Sequence, residues 1–313
     1  MMVDINMPFS EQRRSFYGLL AAIFVYSIWG FFPLYFVLLD QISALNILAF
    51  RVIFALIILI PIVLVRGKGK TIYENLSHKK SALSLLFSSI LISGNWLIFI
   101  VLVQKKMVLE SSLGYFINPL ISVLFGVVFL RERLRPMTWI CVILATCGVS
   151  LYASEIGTLP WGAIGVALTF AGYGLLRKLN PADSLSALTI ETLYVCPFAL
   201  AYLFWQNAFA ATWAINPVLI LLLAGCGAMT AFPLLIFGFA ARRIRLSTLG
   251  MLQYLSPTFS FLCATCFLGE TMQWFQWSAF VMIWLALLLY VYDLLCSRKK
   301  EIRESIEVIP TKS

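Results

Sequence analysis

Long apolar runs, separated by short polar segments, occupy almost the whole chain. Most of them reach the roughly 20 residues that an α-helix needs to cross the hydrocarbon core of a bilayer. They do not show the alternation of polar and apolar residues that is typical of transmembrane β-strands. We therefore predict ten membrane-spanning helices, two of them slightly short, at Phe16–Leu39, Ala44–Val65, Ser81–Val103, Leu109–Leu130, Met137–Ala153, Leu159–Leu176, Leu185–Trp205, Pro217–Ala240, Leu246–Leu268 and Trp274–Cys296.

The composition supports an integral membrane protein. Of 313 residues, 61% are hydrophobic and only 12% are charged, whereas soluble domains carry about 25% charged residues. This balance argues against a soluble enzyme, a disordered chain and a disulfide scaffold. All seven cysteines lie in apolar runs, where they are expected to pack as small hydrophobic residues. We predict no cofactor and no metal site.

The distribution of the basic residues predicts the orientation. If the N-terminus is cytoplasmic, 20 of the 23 lysines and arginines fall in cytoplasmic segments, and only Lys105 and Lys106 fall in outer loops. Such an excess follows the positive-inside rule, so both termini are expected in the cytoplasm of a bacterial inner-membrane protein. The same distribution explains the net charge of +9 without nucleic acid as a partner. The last base, Arg51, lies inside the second span.

The two halves of the chain resemble each other. Pro119, Glu132 and Trp139 recur as Pro257, Glu270 and Trp277, each 138 residues later. The first and sixth spans also align, with Gly18, Tyr26, Trp29 and Gly30 matching Gly162, Phe170, Tyr173 and Gly174 at an offset of 144. We predict a gene duplication with a cytoplasmic arm at 1–15, a first repeat at 16–155, a second repeat at 156–297 and a cytoplasmic tail at 298–313.

Five spans in each repeat require the second copy to enter the membrane upside down. Inverted repeats of this kind are the architecture of many secondary transporters, in which the substrate binds near the midplane between the halves. The fold class predicted is therefore an all-α membrane protein with ten transmembrane helices in two inverted five-helix repeats.

Two ionisable residues lie within predicted spans. Arg51 is about eight residues into the second span, and Glu191 is about six residues into the seventh. A charge at such depth costs at least about 2.5–3.5 kcal/mol unless it is paired or hydrated. Arg51 is a candidate to bind a substrate carboxylate, and Glu191 to bind an amine or carry a coupling proton. The alternative is a structural ion pair.

The remaining candidates are polar or aromatic residues within spans. Aromatic side chains can stack on a flat or apolar substrate, although packing and interfacial anchoring explain single aromatic residues equally well. Prolines 33, 119, 233 and 257 free backbone carbonyls that can bind a substrate, or they simply kink the helices. Besides Arg51 and Glu191, the predicted substrate-binding residues are Tyr26, Trp29, Asn95, Trp96, Tyr115, Asn118, Tyr173, Gln253 and Tyr254.

Glu132 and Glu270 close the fourth and ninth spans at opposite membrane faces. Their recurrence favours a structural clasp that holds a helix end or loop over a direct contact with substrate.

Several stretches resemble a known family. Tyr26-Ser-Ile-Trp29-Gly30, Gly94-Asn95-Trp96, Glu110-Ser-Ser-Leu-Gly114-Tyr115-Phe-Ile-Asn118-Pro119, Arg245-Leu-Ser-Thr-Leu-Gly250 and Gly269-Glu270 are similar to the RarD group of the EamA family, in the drug/metabolite transporter superfamily. The resemblance covers residues 16–296 and implies a ten-helix inner-membrane permease of amino acids and other metabolites. Phe50 stands where many members have His, which puts a His-based proton role in doubt.

We therefore predict a secondary transporter of small organic solutes, such as amino acids or related metabolites and drugs. It is expected to work by alternating access, with the lipid bilayer and a small-molecule substrate as partners. A channel-like facilitator is the alternative within transport. An intramembrane enzyme would need converging ligands that the spans lack, and a receptor or scaffold would need larger loops. Substrate, direction, coupling ion and oligomeric state stay open.

Overall fold

The structure is a computed structural model that describes residues 9–39, 41–104, 108–154, 160–206, 217–267 and 273–307, all of whose regular elements are helical. In these ranges the helices are α1 (Phe9–Gly30), α2 (Phe32–Phe36), a 3-10 turn (Val37–Leu39), α3 (Ala44–Val65), α4 (Gly69–Ser77), α5 (Lys79–Gln104), α6 (Val108–Val128), α7 (Pro136–Ser154), α8 (Trp161–Leu179), α9 (Ser184–Trp205), α10 (Pro217–Ala241), α11 (Leu246–Gln253), α12 (Leu255–Cys266) and α13 (Trp274–Glu307).

Each predicted span coincides with helical residues, but the helices differ in length and apolarity. Within the described ranges, seven segments are long and apolar enough to cross a membrane, and they correspond to the first, second, third, fifth, seventh, eighth and tenth predicted spans. The apolar part of α6 is shorter, α8 ends with two bases in its last turn, and the ninth span is divided between α11 and α12. An all-helical, multi-pass membrane protein is therefore established, whereas the count of ten spans stays a prediction.

Two of the predicted spans are interrupted, each near a proline. The first span breaks at Phe31, just before Pro33, and the ninth breaks at Tyr254, just before Pro257. The two breaks lie close together, because a Cβ added to Gly30 would approach the carbonyl oxygen of Ser256 to 2.8 Å. By contrast, α6 and α10 continue through their prolines.

The core of the bundle is formed between the two halves of the chain. Helix α3 packs against α9 and α10, α6 against α8 and α11, α7 against α13, and α1 against α10 and α12. Close approach is possible because small residues lie at the crossings: a Cβ on Gly250 of α11 would come within 2.8 Å of the carbonyl oxygen of Pro119. A position between the halves is therefore deep inside the bundle.

Candidate substrate-binding site

Arg51 points into the bundle, where it contacts helices of both halves. Its Nε atom donates a hydrogen bond of 2.8 Å to Oγ1 of Thr230 in α10, and that hydroxyl in turn donates to the carbonyl of Cys226. The guanidinium carbon lies 4.4 Å from the ring centroid of Trp96 in α5, within the range of a cation–π contact. The Tyr115 hydroxyl of α6 is near enough to interact electrostatically with Arg51. The guanidinium is therefore held at a meeting point of four helices.

Arg51 makes no ion pair with any carboxylate side chain that the structure describes. A guanidinium carries five N–H donors in a fixed planar fork, and Thr230 accepts from one of them. The side chain is partly buried, so neither bulk water nor a protein carboxylate neutralises it. This arrangement can accept the carboxylate of a small solute through two parallel hydrogen bonds.

Glu191 belongs to a second charged cluster. Its Oε1 accepts a 2.5 Å hydrogen bond from Ser88 and lies 3.6 Å from Nη1 of Arg177, and its Oε2 accepts a 3.4 Å bond from the Tyr173 hydroxyl. The side chains of Arg177 and Glu191 are only 1% and 2% exposed. In this structure Glu191 is therefore half of a buried ion pair, which was one of the two predicted alternatives.

Sequence reasoning missed Arg177. The positive-inside count placed this arginine in a cytoplasmic segment, but the structure buries it in the last turn of α8. Its position four residues after Tyr173, and so on the same helix face, was the available signal. Its Nη2 donates to the carbonyl of Ser184, whereas its buried Nε has no hydrogen-bond partner.

The Arg51 and Glu191 clusters occupy different depths. Trp96 contacts Arg51 and Ser88 contacts Glu191, and these two residues of α5 are eight positions apart, or about 12 Å along a helix axis. One α-amino acid, whose two charges flank a single carbon, does not span that separation. The structure therefore does not bring Arg51 and Glu191 together around one zwitterion.

Three of the predicted aromatic residues form one cluster with two phenylalanines. The Trp29 ring lies 5.7 Å from Tyr26 and 5.8 Å from Phe170 between centroids. The Tyr173 ring stacks on Phe237 at 5.6 Å. Because the Tyr173 hydroxyl also donates to Glu191, this aromatic cluster adjoins the buried ion pair. Tyr115 instead packs edge-on against Phe99 at 5.5 Å, on the side of Arg51.

The other predicted polar residues join helices to one another. Asn95 is buried and donates to the carbonyl of Val166 at 2.8 Å and to the hydroxyl of Thr169 at 3.1 Å. The Tyr254 hydroxyl donates to the carbonyl of Phe116 at 3.2 Å. These contacts connect α5 to α8 and the α11–α12 break to α6.

Asn118 and Gln253 lie where α6 crosses the ninth span. Both are buried, at 0% and 5% exposure, and Oδ1 of Asn118 accepts a weak 3.4 Å bond from Ser122. The Nδ2 amide of Asn118 has no partner among the described residues. An amide with unused donors, in the interior between the halves, has the chemistry to bind an acceptor on a solute.

Glu132 forms the predicted clasp. Its Oε1 accepts from the backbone N–H of Leu246 at 2.6 Å, and its Oε2 accepts from the N–H and the hydroxyl of Ser247 at 2.9 and 2.5 Å. These are the first two residues of α11, whose N–H groups have no acceptor within their own helix. The clasp interpretation of Glu132 is thus confirmed, and Glu270 lies outside the described residues.

Asp183 secures a second helix start on the same predicted membrane face. It accepts from the N–H and hydroxyl of Ser186 at 3.3 and 2.8 Å, and it pairs with Lys68 at 3.4 Å. Burial raises the pKa of the Asp183 carboxyl, but the Ser186 hydrogen bonds and the Lys68 charge outweigh burial and hold the pKa below its ordinary value. Asp183 therefore caps α9 and ties it to the loop before α4.

An all-helical chain with several membrane-length helices, and with charged groups turned into the bundle, has the features of a multi-pass membrane transporter. The model of the EamA-like transporter family matches residues 16–154 and, a second time, residues 158–292. The chain belongs to this family, as the resemblance predicted.

Its relatives carry transporter names rather than enzyme names. The chain is 40% identical to "Protein RarD" of Salmonella typhi, over 93% of this chain and 100% of that protein. It is 38% identical to "Uncharacterized transporter YojE" of Bacillus subtilis, over 92% and 96%. It is 30% identical to "Chloramphenicol-sensitive protein RarD" of Pseudomonas aeruginosa, over 94% and 100%. A solved crystal structure shares the fold with a TM-score of 0.67 at 15% identity, covering 87% of this chain and 96% of the other.

Proposed function

We propose that the protein is a secondary transporter that moves small carboxylate-bearing organic solutes, such as amino acids or related metabolites, across the bacterial inner membrane. The observation that carries this proposal is Arg51, a guanidinium inside the bundle that no described carboxylate neutralises. A permanent charge of this kind is expensive within a membrane, and an anionic group on the cargo would offset the cost. Trp96 and Tyr115 would line the same site.

The proposed mechanism is alternating access by two inverted repeats of five spans each. The packing supports it, because the helix contacts are reciprocal between the halves. Contacts of α1 with α10 and α12 are matched by contacts of α8 with α5 and α6, while α3, α6 and α7 each pack against their own counterparts α9, α11 and α13. A two-fold relationship produces this pattern. Phe116 and Tyr254, which are 138 residues apart and joined by a hydrogen bond, would lie near the axis.

The substrate test compares pairs of ligands that differ only in the carboxylate. Purified protein is heated with an amino acid and with the corresponding amine, because a ligand that binds the folded form raises its melting temperature. We expect stabilisation by the acid alone, and we expect Arg51→Gln to weaken it by about a hundredfold, since hydrogen bonds to charged groups contribute about 1.5–3 kcal/mol each. Arg66→Gln, an exposed site at the end of the same helix, is the matched control.

Transport is then measured in proteoliposomes. Unchanged transport by Arg51→Gln would remove this residue from the site. Counterflow distinguishes a carrier from the channel-like alternative: solute on the far side accelerates uptake by a carrier but not by a channel.

A coupling proton remains part of the proposal, with Glu191 as its carrier. The carboxylate would take up the proton when Arg177 moves away during the conformational change. Transport driven by a pH gradient should then be lost in Glu191→Gln, while exchange of solute for solute persists. Gradient-driven transport at the normal rate in this variant would exclude Glu191 as the carrier.

A further inference from the structure

An apolar groove lies on the outside of the bundle between α1 and α10. It has a volume of about 780 Å³ and is lined by Leu20, Ala21, Ile23, Phe24, Ser27, Leu235, Ile236 and Phe239. Leu20 and Phe24 are 45% and 57% exposed. In a membrane protein such a surface faces acyl chains, so the groove alone does not select any one lipid.

The end of the groove nearest the N-terminus is strongly basic. Helix α10 ends at Ala241 and is followed directly by Arg242 and Arg243. Helix α1 approaches this corner closely, because a Cβ on Gly18 would come within 2.6 Å of the Arg243 Cβ. Arg14 lies one turn before Gly18 and therefore on the same helix face.

The charges of this corner influence one another. Burial, followed by the charges of Arg14 and Arg242, lowers the pKa of Arg243. The Arg243 guanidinium stacks 3.3 Å above the Phe239 ring, at the end of the groove, and donates to the Phe239 carbonyl at 3.0 Å. Arg242 donates to the Ala182 carbonyl and is near Asp183. Among the side chains that the structure describes, no carboxylate pairs with Arg14 or Arg243.

We propose that this groove and its arginine corner form a binding site for an anionic phospholipid of the cytoplasmic leaflet. The phosphate would lie between Arg14 and Arg243, and an acyl chain would follow the groove past Phe239, Leu20 and Phe24. Basic pockets between transmembrane helices at the cytoplasmic side recognise anionic headgroups in this way. The site depends on the predicted orientation and on the contact of α1 with α10, and it is independent of the transported solute.

The test measures lipid affinity of the full-length protein in detergent by native mass spectrometry. Phosphatidylglycerol and phosphatidylethanolamine with identical acyl chains are compared, and inorganic phosphate is added in a separate arm. We expect preferential binding of phosphatidylglycerol and only weak binding of phosphate, because the groove contributes through the chain. Arg14→Gln should reduce the affinity about fivefold and Arg14→Gln/Arg243→Gln about thirtyfold, from about 1 kcal/mol per base near the membrane surface.

Two further variants separate the groove from general charge. Arg66→Gln/Arg131→Gln removes two exposed arginines elsewhere on the predicted cytoplasmic face and should retain the preference. Ala21→Trp fills the groove and should weaken phosphatidylglycerol while leaving the arginines intact. Arg14 is exposed on α1, so its single variant is expected to fold. Equal binding of the two lipids by the unmodified protein, or equal losses in the control pair, would overturn the proposal, as would phosphate binding as tightly as the lipid.

Discussion

The Glu132 clasp allows a quantitative prediction about the contact between the halves. One carboxylate accepts both leading N–H groups of α11, and it also places a negative charge at a helix N-terminus, where the helix dipole favours it. In Glu132→Gln one amide oxygen remains as an acceptor, while the amide nitrogen faces a backbone N–H. Losing one charge-assisted hydrogen bond and the favourable charge should cost about 2 kcal/mol.

Hydrogen–deuterium exchange measures this loss directly. The N–H groups of Leu246 and Ser247 exchange when the clasp opens, so a loss of about 2 kcal/mol should accelerate their exchange about thirtyfold. Glu132→Ala removes both acceptors and should accelerate exchange further. The control is Glu74→Gln, which breaks a 3.9 Å ion pair between largely exposed side chains, an interaction that typically contributes about 0–1 kcal/mol.

The pattern of exchange decides whether Glu132 holds the two halves together. Faster exchange confined to the start of α11 is expected if the carboxylate is the partner of those two N–H groups. Unchanged exchange there in Glu132→Ala would refute the clasp, because no other acceptor is available to these groups within the helix. Equal acceleration in Glu74→Gln would attribute the effect to net charge rather than to the contact.

Three further predictions concern stability, measured as melting temperature in detergent. Gly250→Ala places a methyl group 2.8 Å from a carbonyl oxygen of α6 and should destabilise, whereas Gly94→Ala meets no atom within 4 Å and should be neutral or stabilising by up to about 1 kcal/mol; the opposite order would contradict the close crossing. Arg177→Met and Glu191→Gln should each cost about 3–5 kcal/mol, and the double variant less than their sum, since each single change strands a buried charge; additive losses would argue against the pair. The depressed pKa of Asp183 stabilises the folded form above about pH 4 and loses this effect as the pH falls through the folded-state pKa, so the advantage over Asp183→Asn should vanish in acid; an advantage that persists there would exclude the carboxylate charge as its cause.

The sequence was sufficient for features that each segment determines alone. An apolar run of about 20 residues favours a helix in a membrane whatever its neighbours do, because backbone groups must be satisfied within the segment. The breaks at Phe31 and Tyr254 follow equally locally from nearby prolines. The clasp was predictable because Glu132 recurs at Glu270, and a recurrence in a duplicated chain indicates a role that each copy needs.

Features that depend on two distant segments were not predictable. The positive-inside rule counts bases near span ends, so it cannot distinguish a solvated arginine from one that turns inward. Arg177 was misplaced for this reason: its partner Glu191 is on another helix, and only packing decides whether the two meet. The same limitation led to the hypothesis that Arg51 and Glu191 serve one solute, since sequence depth alone does not determine which groups share a layer of the bundle.

The two buried arginines illustrate how different costs imply different roles. Arg177 lies 3.6 Å from a carboxylate that is as buried as itself, so its charge is offset within the protein and the pair can persist without ligand. Arg51 has a hydroxyl and an aromatic face instead, and these stabilise a cation less than a carboxylate does. Its charge is thus most stable when an anion enters the bundle. A residue whose environment improves on binding contributes affinity, whereas a residue already paired contributes mainly to the shape of the bundle.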